Sequence, residues 1–268
     1  MRSILLYANE DAGSIVRLEA ALQLAATFDS HLHCLQLTSA DEYVYLDPFG
    51  GVYPMFELLN DIRAQESEFQ AKIEARLSRA GARWTWLNEV RDPQGASLDR
   101  MNLIDLAVVS LVDDPERPEL APAPARLALQ TDTPILAVAS QGPAFDVRGN
   151  VMVAWNGSPE AGRALRAAVP LLAPAASVTI VQVIEHHEQR NAFDAAEYLG
   201  YHDIKAEVRE QFNEQGPVAD ALRRAVIETG ASYLVMGAYG KPRMRERVFG
   251  GVTQSFAKQS PCSLFMTH

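Results

Sequence analysis

The sequence predicts an α/β protein made of two tandem units, each an open, mostly parallel five-stranded sheet with helices on both faces. Three observations carry this prediction. Short apolar runs alternate with helical periodicities along the whole chain. The order of these elements occurs twice. The net charge also changes abruptly between the two occurrences. Strands that alternate with helices call for parallel pairing and right-handed crossovers, which put helices on both faces of the sheet.

The repeat begins at the first strand. Ile4-Leu-Leu-Tyr-Ala-Asn9 matches Val151-Met-Val-Ala-Trp-Asn156, an offset of 147 positions. Each is an apolar run ending in Asn, as a buried strand running into a loop would be. A helix follows in both: Ile15, Leu18, Leu22 and Ala25 recur at steps of three and four, as do Ala161, Leu165, Ala168 and Leu172. Ser158-Pro159 reads as an N-cap with proline at the first helical position. Leu32 to Leu37 and Val178 to Ile184 are the next strands, with Gln36 and Gln182 at matching places.

Further on, Asp105-Leu-Ala-Val-Val-Ser110 matches Ser232-Tyr-Leu-Val-Met-Gly237, and Thr133-Pro-Ile-Leu136 matches Ser260-Pro-Cys-Ser263, both at an offset of 127. The same offset at both places predicts equal connections between these strands. The fall in offset puts the extra length of the first half near positions 40–80, read as a loop from Tyr43 to Gly51 and a long helix from Phe56 to Leu77. Residues 141–149, with Gly142, Pro143 and Gly149, read as the linker. The domains expected are therefore 1–140 and 150–268. The last strand of each, 134–139 and 262–267, would be an open edge alone, and the expectation is that the two pair with each other around a pseudo-twofold axis.

A chain of 268 residues with 48% hydrophobic and 22% charged residues is an ordinary globular composition, which excludes disorder throughout. Residues 1–140 hold 11 Lys/Arg and 21 Asp/Glu, and residues 141–268 hold 13 of each, so the whole net charge of −10 lies in the first half. That balance disfavours nucleic acid and anionic membranes as partners. No apolar run reaches the roughly 18 residues of a membrane helix. The start of the chain lacks a secretory pattern, and two distant cysteines, Cys34 and Cys262, form no disulfide framework. A cytoplasmic location is expected.

The richest chemistry follows the strand at Tyr233–Met236. Gly237-Ala-Tyr-Gly240 is separated by nine residues from Gly250-Gly251-Val252-Thr253, where a helix begins and runs to Gln259. Glycines let backbone N–H groups approach an anion, and a helix N-terminus adds unpaired donors and a positive dipole end. Lys241, Arg243, Arg245 and Arg247 stand between the glycine pairs against one acid, Glu246. Phosphate fits such a loop. The first half supplies a control at the offset of 127: Ser110, Asp113, Ala123 and Pro124 replace Gly237, Gly240, Gly250 and Gly251, and Asp114, Glu116 and Glu119 outnumber Arg117. This half is not expected to hold a nucleotide in that way.

The arrangement Gly237-x2-Gly240-x9-Gly250, followed by a Ser-Pro-Cys lead into a last strand, resembles the universal stress protein (UspA) family. Two such units in one chain resemble its tandem members, strongly over 150–268 and weakly over 1–140. The resemblance implies a fold related to adenine nucleotide alpha-hydrolases, a stress-response role and ATP, with magnesium, as ligand of the second half. By position it places Ala154 and Val183 beside the adenine, Asn156 where the family has an Asp for ribose or base, and Met236 and Val252 beside the phosphate loop. Gly251 stands where the family has Ser or Thr, with Thr253 two residues on.

The other candidates read as structure. His31, His33 and Cys34 lie on one strand without further metal ligands, Trp84 and Trp86 pack from another, and His186-His187 and Asp113-Asp114 read as solvated loops. No Ser-His-Asp or Cys-His pattern can be assembled, so no catalytic residue is assigned, and slow ATP hydrolysis is the most that is expected. The rival reading is an interaction or scaffold protein with an empty glycine loop and an unknown protein partner. A homodimer of whole chains stays open.

Overall fold

A computed structural model describes residues 1–38, 56–90, 96–111, 124–184, 192–212, 216–238 and 251–268. The first half contains β1 (Ser3–Tyr7), α1 (Ser14–Phe28), β2 (His31–Thr38), α2 (Phe56–Arg79), β3 (Arg83–Val90), a 3-10 segment (Ala96–Leu103), β4 (Leu106–Ser110), α3 (Pro124–Gln130) and β5 (Ile135–Val138). The second contains β6 (Asn150–Trp155), α4 (Pro159–Leu172), β7 (Ser177–Ile184), α5 (Phe193–Gly200), β8 (Ala206–Phe212), α6 (Val218–Thr229), β9 (Tyr233–Gly237), α7 (Gly251–Lys258) and β10 (Ser263–Thr267). The expected alternation is present, except that a 3-10 segment stands where a third helix was expected before β4.

Among the described residues ten strands form one sheet in the order β3-β2-β1-β4-β5-β10-β9-β6-β7-β8. Each half contributes five parallel strands in the same order, and the halves meet at β5 and β10, which run antiparallel. The strands are buried apolar runs, as in Leu106-Ala-Val-Val109 and Tyr233-Leu-Val-Met236, because helices cover both faces. One cluster packs α1, α2 and α4 on one face, and the other cluster packs α6 and α7 on the opposite face.

The β5–β10 register contains the symmetry. Leu136 lies opposite Phe265, with Ala137 against Leu264 and Ile135 against Met266. Exchanging Leu136 with Phe265 exchanges the flanking pairs as well, so a pseudo-twofold axis passes between these two residues. This corrects the sequence alignment of the last strand. Ala107 pairs with Ile135, and Leu234, at the equivalent place, pairs with Leu264, so the offset there is 129 rather than 127. The helices still start at matching positions, Pro124 and Gly251. Between matched positions of its last two strands the second half therefore spends two more residues, 30 from Leu234 to Leu264 against 28 from Ala107 to Ile135, and the connections are not equal. A two-residue slip keeps every side chain on its own face, and so the apolar pattern could not reveal it.

Helix α1 buries Leu18 and Ala25 and part of Leu22 as expected, but not Ile15. Ile15 is 37% exposed, whereas Arg17 is 1% exposed and packed inside. The residues expected as a linker are tied down. Phe145 and Val147 are buried, the Phe145 ring lies 5.3 Å from that of Tyr233, and Gln23 Nε2 donates to the Phe145 carbonyl at 3.0 Å. Trp84 and Trp86 lie on β3, partly buried against the core. His31 and His33 have ring centroids 4.9 Å apart, and no group of three metal-ligating side chains occurs among the described residues. Tyr43 to Gly51, His186-His187 and Asp113-Asp114 lie outside the described residues.

Candidate functional site

Strand β6 feeds α4, while β9, its neighbour in the sheet, feeds α7. The chain thus moves from β6 outward to β7 on one side and returns to β9 on the other. That reversal is the topological switch point of an open α/β sheet, and a crevice opens beyond the carboxyl ends of the two strands. Ala154 lies near the end of β6, Met236 and Gly237 at the end of β9, Val183 on β7 beside β6, and Gly251, Val252 and Thr253 open α7. Ala154, Val183, Met236 and Val252 share one apolar cluster. Thr253 is buried and Gly251 exposed. Gly240 and Gly250 lie outside the described residues, as do the cations between them.

The turn from β6 into α4 is built by its side chains. Asn156 Oδ1 accepts from the Ser158 N–H at 3.1 Å, Gly157 takes a φ of 67°, and Ser158 Oγ accepts from the Ala161 N–H at 3.2 Å. This is the expected N-cap, with Pro159 at the first helical position. Asn156 is exposed, and its Nδ2 stays available as a donor.

Gly237 has a packing duty that sequence reasoning missed. A Cβ there would lie 2.6 Å from the Glu160 carbonyl carbon and 2.7 Å from the Ala161 nitrogen. The end of β9 touches the start of α4 too closely for any side chain. Gly251 is the opposite case, since a Cβ there would meet nothing within 4 Å. Glu160, whose Cβ would lie 2.8 Å from a Cβ on Gly237, carries a carboxylate. Its Oε1 accepts from Arg163 Nη2 at 3.0 Å, and its Oε2 is buried with no hydrogen-bond partner among the described residues.

The same place in the first half is filled. Strand β1 pairs with β4 as β6 pairs with β9, with Ile4 against Leu106 and Val151 against Tyr233. At these offsets Gly13 corresponds to Glu160, Ser110 to Gly237 and Arg17 to Ala164. Arg17 Nε donates to the Tyr7 carbonyl at 2.5 Å, and Nη2 to the Asn9 carbonyl at 3.1 Å. Its guanidinium also donates to Ser110 Oγ and, at 2.8 and 3.1 Å, to the two oxygens of Asp11. Asn9 bridges to β2, donating to the Leu37 carbonyl at 2.6 Å and accepting from the Leu37 N–H at 3.1 Å. The matched asparagines therefore differ: Asn9 is buried and engaged, and Asn156 is exposed. The close contact is also inverted. A Cβ on Gly13 would lie 2.2 Å from Ser110 Oγ, so the first half puts its glycine on the helix side and the second half on the strand side.

A parallel sheet with its crevice at the switch point, built twice in one chain, defines a tandem α/β protein with one crevice plugged. A universal stress protein from Archaeoglobus fulgidus DSM 4304 is similar over 98% of this chain and 95% of its own, at 17% identity and a TM-score of 0.73. A proposed universal stress protein from Pseudomonas aeruginosa UCBPP-PA14 is similar over 100% of this chain and 93% of its own, at 17% identity and a TM-score of 0.60. At these identities the likeness concerns the fold. No curated protein matches. Residues 148–268 match the family described as the Universal stress protein family. The second half of the chain is a universal stress protein domain, and the first half repeats its fold.

Proposed function

We propose that the chain divides at 1–140 and 150–268 and that the second domain binds an adenine nucleotide, ATP with magnesium, as a regulatory ligand in the cytoplasm. The observation that carries this reading is the contrast between two equivalent crevices. In the first, Arg17 and Asn9 occupy the strand ends. In the second, Asn156 is exposed and α7 begins at a glycine that leaves its surroundings open. Ala154 and Val183 would border the adenine, and Asn156 Nδ2 would donate to ribose or base. The first-turn N–H groups of α7, from Gly251 to Thr253, would face phosphate together with Gly237, Gly240 and Gly250. Among the described residues no acidic cluster could hold a metal ion, so magnesium would arrive bound to the phosphates. The same residues provide binding and orientation, with no nucleophile or general base among them. Burial pushes the pKa of the Cys34 and Cys262 thiols up to about 12, so both stay protonated and unreactive. Among the described residues no helix is long and apolar enough to cross a membrane.

Glu160 favours a second reading. A residue packed against Gly237 that carries a buried, unpartnered carboxylate oxygen disfavours an anion nearby, which suits a scaffold whose loop stays empty. Calorimetric titration with ATP separates the two readings. Wild type should bind weakly at one site per chain, and Gly240→Asp should abolish binding. Gly251→Ser, which has room for its side chain, should tighten it about ten- to a hundredfold, the worth of one charge-assisted hydrogen bond. No binding by wild type or Gly251→Ser would leave the scaffold.

A further inference from the structure

The first half has a second cleft, away from its plugged switch point. It lies at the carboxyl ends of β2 and β3, against the middle of α2, and has a volume of about 360 Å³. Its lining is Gln36, Thr38, Arg63, Glu66, Ser67, Gln70, Asn88 and Glu89, all polar. Arg63, Glu66, Ser67 and Gln70 recur at steps of three, one and three, so a single face of α2 forms one wall. Gln36 and Asn88 are register partners on β2 and β3 and form the other.

Hydrogen bonds hold these walls in place. Gln36 is 3% exposed, and its Nε2 donates to the Glu66 carbonyl at 3.3 Å. Thr38 Oγ1 donates to Glu66 Oε1 at 2.8 Å. Trp86 Nε1 donates to Asn88 Oδ1 at 2.9 Å and to Gln36 Oε1 at 3.2 Å, which fixes the amide of Asn88 with Nδ2 left over. Gln70 Nε2 donates to Glu74 Oε1 at 2.9 Å, which leaves Gln70 Oε1 as an acceptor. The carboxylate of Glu89 pairs with Arg100. The side chains of Arg63 and Ser67 make no hydrogen bond or ion pair among the described residues. The ordered walls thus leave one uncommitted guanidinium, an amide donor, an amide acceptor, a hydroxyl and the second oxygen of Glu66.

The cleft belongs to the first half alone. Helix α2 has 24 residues and its counterpart α5 has eight, although both halves keep the buried glutamine, Gln36 and Gln182. The extra length of α2 makes the wall. A lining without apolar side chains excludes a lipid or an aromatic ligand. Charges of both signs, each with free hydrogen-bonding capacity, match a ligand that carries both signs itself. We propose that this cleft binds a small zwitterion with a carboxylate and an ammonium group, an α-amino acid. Arg63 takes the carboxylate through its planar fork, and Glu66 Oε2 and Gln70 Oε1 accept from the ammonium.

The full chain is tested by thermal unfolding and calorimetry with each standard α-amino acid in turn, and with glucose, acetate and ethylamine as controls. At least one amino acid should raise the unfolding midpoint and bind, and the controls should not. Arg63→Gln, an exposed change on a helix surface, should weaken that binding about tenfold or more. Asn88→Leu should weaken it too, while the response to ATP stays that of wild type. Silence from every amino acid, equal binding by Arg63→Gln, or glucose binding as well as the amino acid would overturn the proposal.

Discussion

Arg17 shows how one charged residue can close a site. Its guanidinium has neighbours on every side, and its side chain and that of Asp11 are 2% and 10% exposed. A buried pair of this kind adds little over apolar packing, but removing one partner strands the other. Arg17→Met should therefore destabilise the protein by about 3–5 kcal/mol, and Arg17→Met with Asp11→Leu by clearly less. Urea unfolding of both variants checks this, and equal losses would show that the charge pairing is irrelevant. The contact between β9 and α4 makes a second test. Gly237→Ser copies Ser110 and should destabilise by about 1–3 kcal/mol through overpacking. Adding Glu160→Gly, which copies Gly13, should restore part of the loss, because the first half pairs a serine with a glycine at this place. Strictly additive losses would mean that the two positions do not compensate each other.

At the scale of elements, the start of the sheet depends on Asp105. Its carboxylate accepts the backbone N–H groups of Arg2 at 2.5 Å and Ser3 at 3.1 Å, fastening β1 to the entry of β4. Partial burial pushes its pKa up, but these two bonds and the chain's amino terminus outweigh that and hold it below its ordinary value of 3.8. A lowered native pKa gives stability that is present above 3.8 and is lost as pH falls through the native value. Asp105→Asn should thus be less stable than wild type at neutral pH, and the difference should close in acid below 3.8. Urea titrations across that range test this, and a pH-independent difference would refute it.

The same scale shows what the sequence could reveal. Parallel strands buried on both faces are continuous apolar runs, and so Leu106–Val109 and Tyr233–Met236 were legible. The N-cap at Ser158 was legible because its chemistry is local. The burial of Arg17 in α1 was not, because an arginine reads as solvent-facing until Asp11 and the carbonyls of Tyr7 and Asn9 are seen around it. The glycines pointed to the switch point, but the packing role of Gly237 depends on Glu160, 77 positions earlier. The cleft under α2 needs three elements to meet, and no local pattern records that.

For the whole molecule, the β5–β10 ladder matters most. Each half ends in a strand that would otherwise be an unpaired edge, and the other half covers it. Residues 148–268 expressed alone would lose β5 and expose β10. Since Phe265 and Leu136 are related by the pseudo-twofold axis, a second β10 can take the place of β5 in an isologous pair. The isolated half should therefore be a dimer by sedimentation. A Phe265→Lys variant of it, which puts two like charges face to face at the axis, should be a monomer. A monomeric wild-type half would refute the argument.

Because both sides of this ladder lie on one chain, the pairing is an intramolecular event with a fixed effective concentration. Dilution cannot separate the halves, and a related subunit with a free edge strand finds this one already taken. A protein assembled from two chains must keep both copies alike, since one gene supplies both. Here each partner can diverge without changing the other, and the chain has used that freedom: one crevice was closed with an arginine, Arg17, where its twin has Ala164.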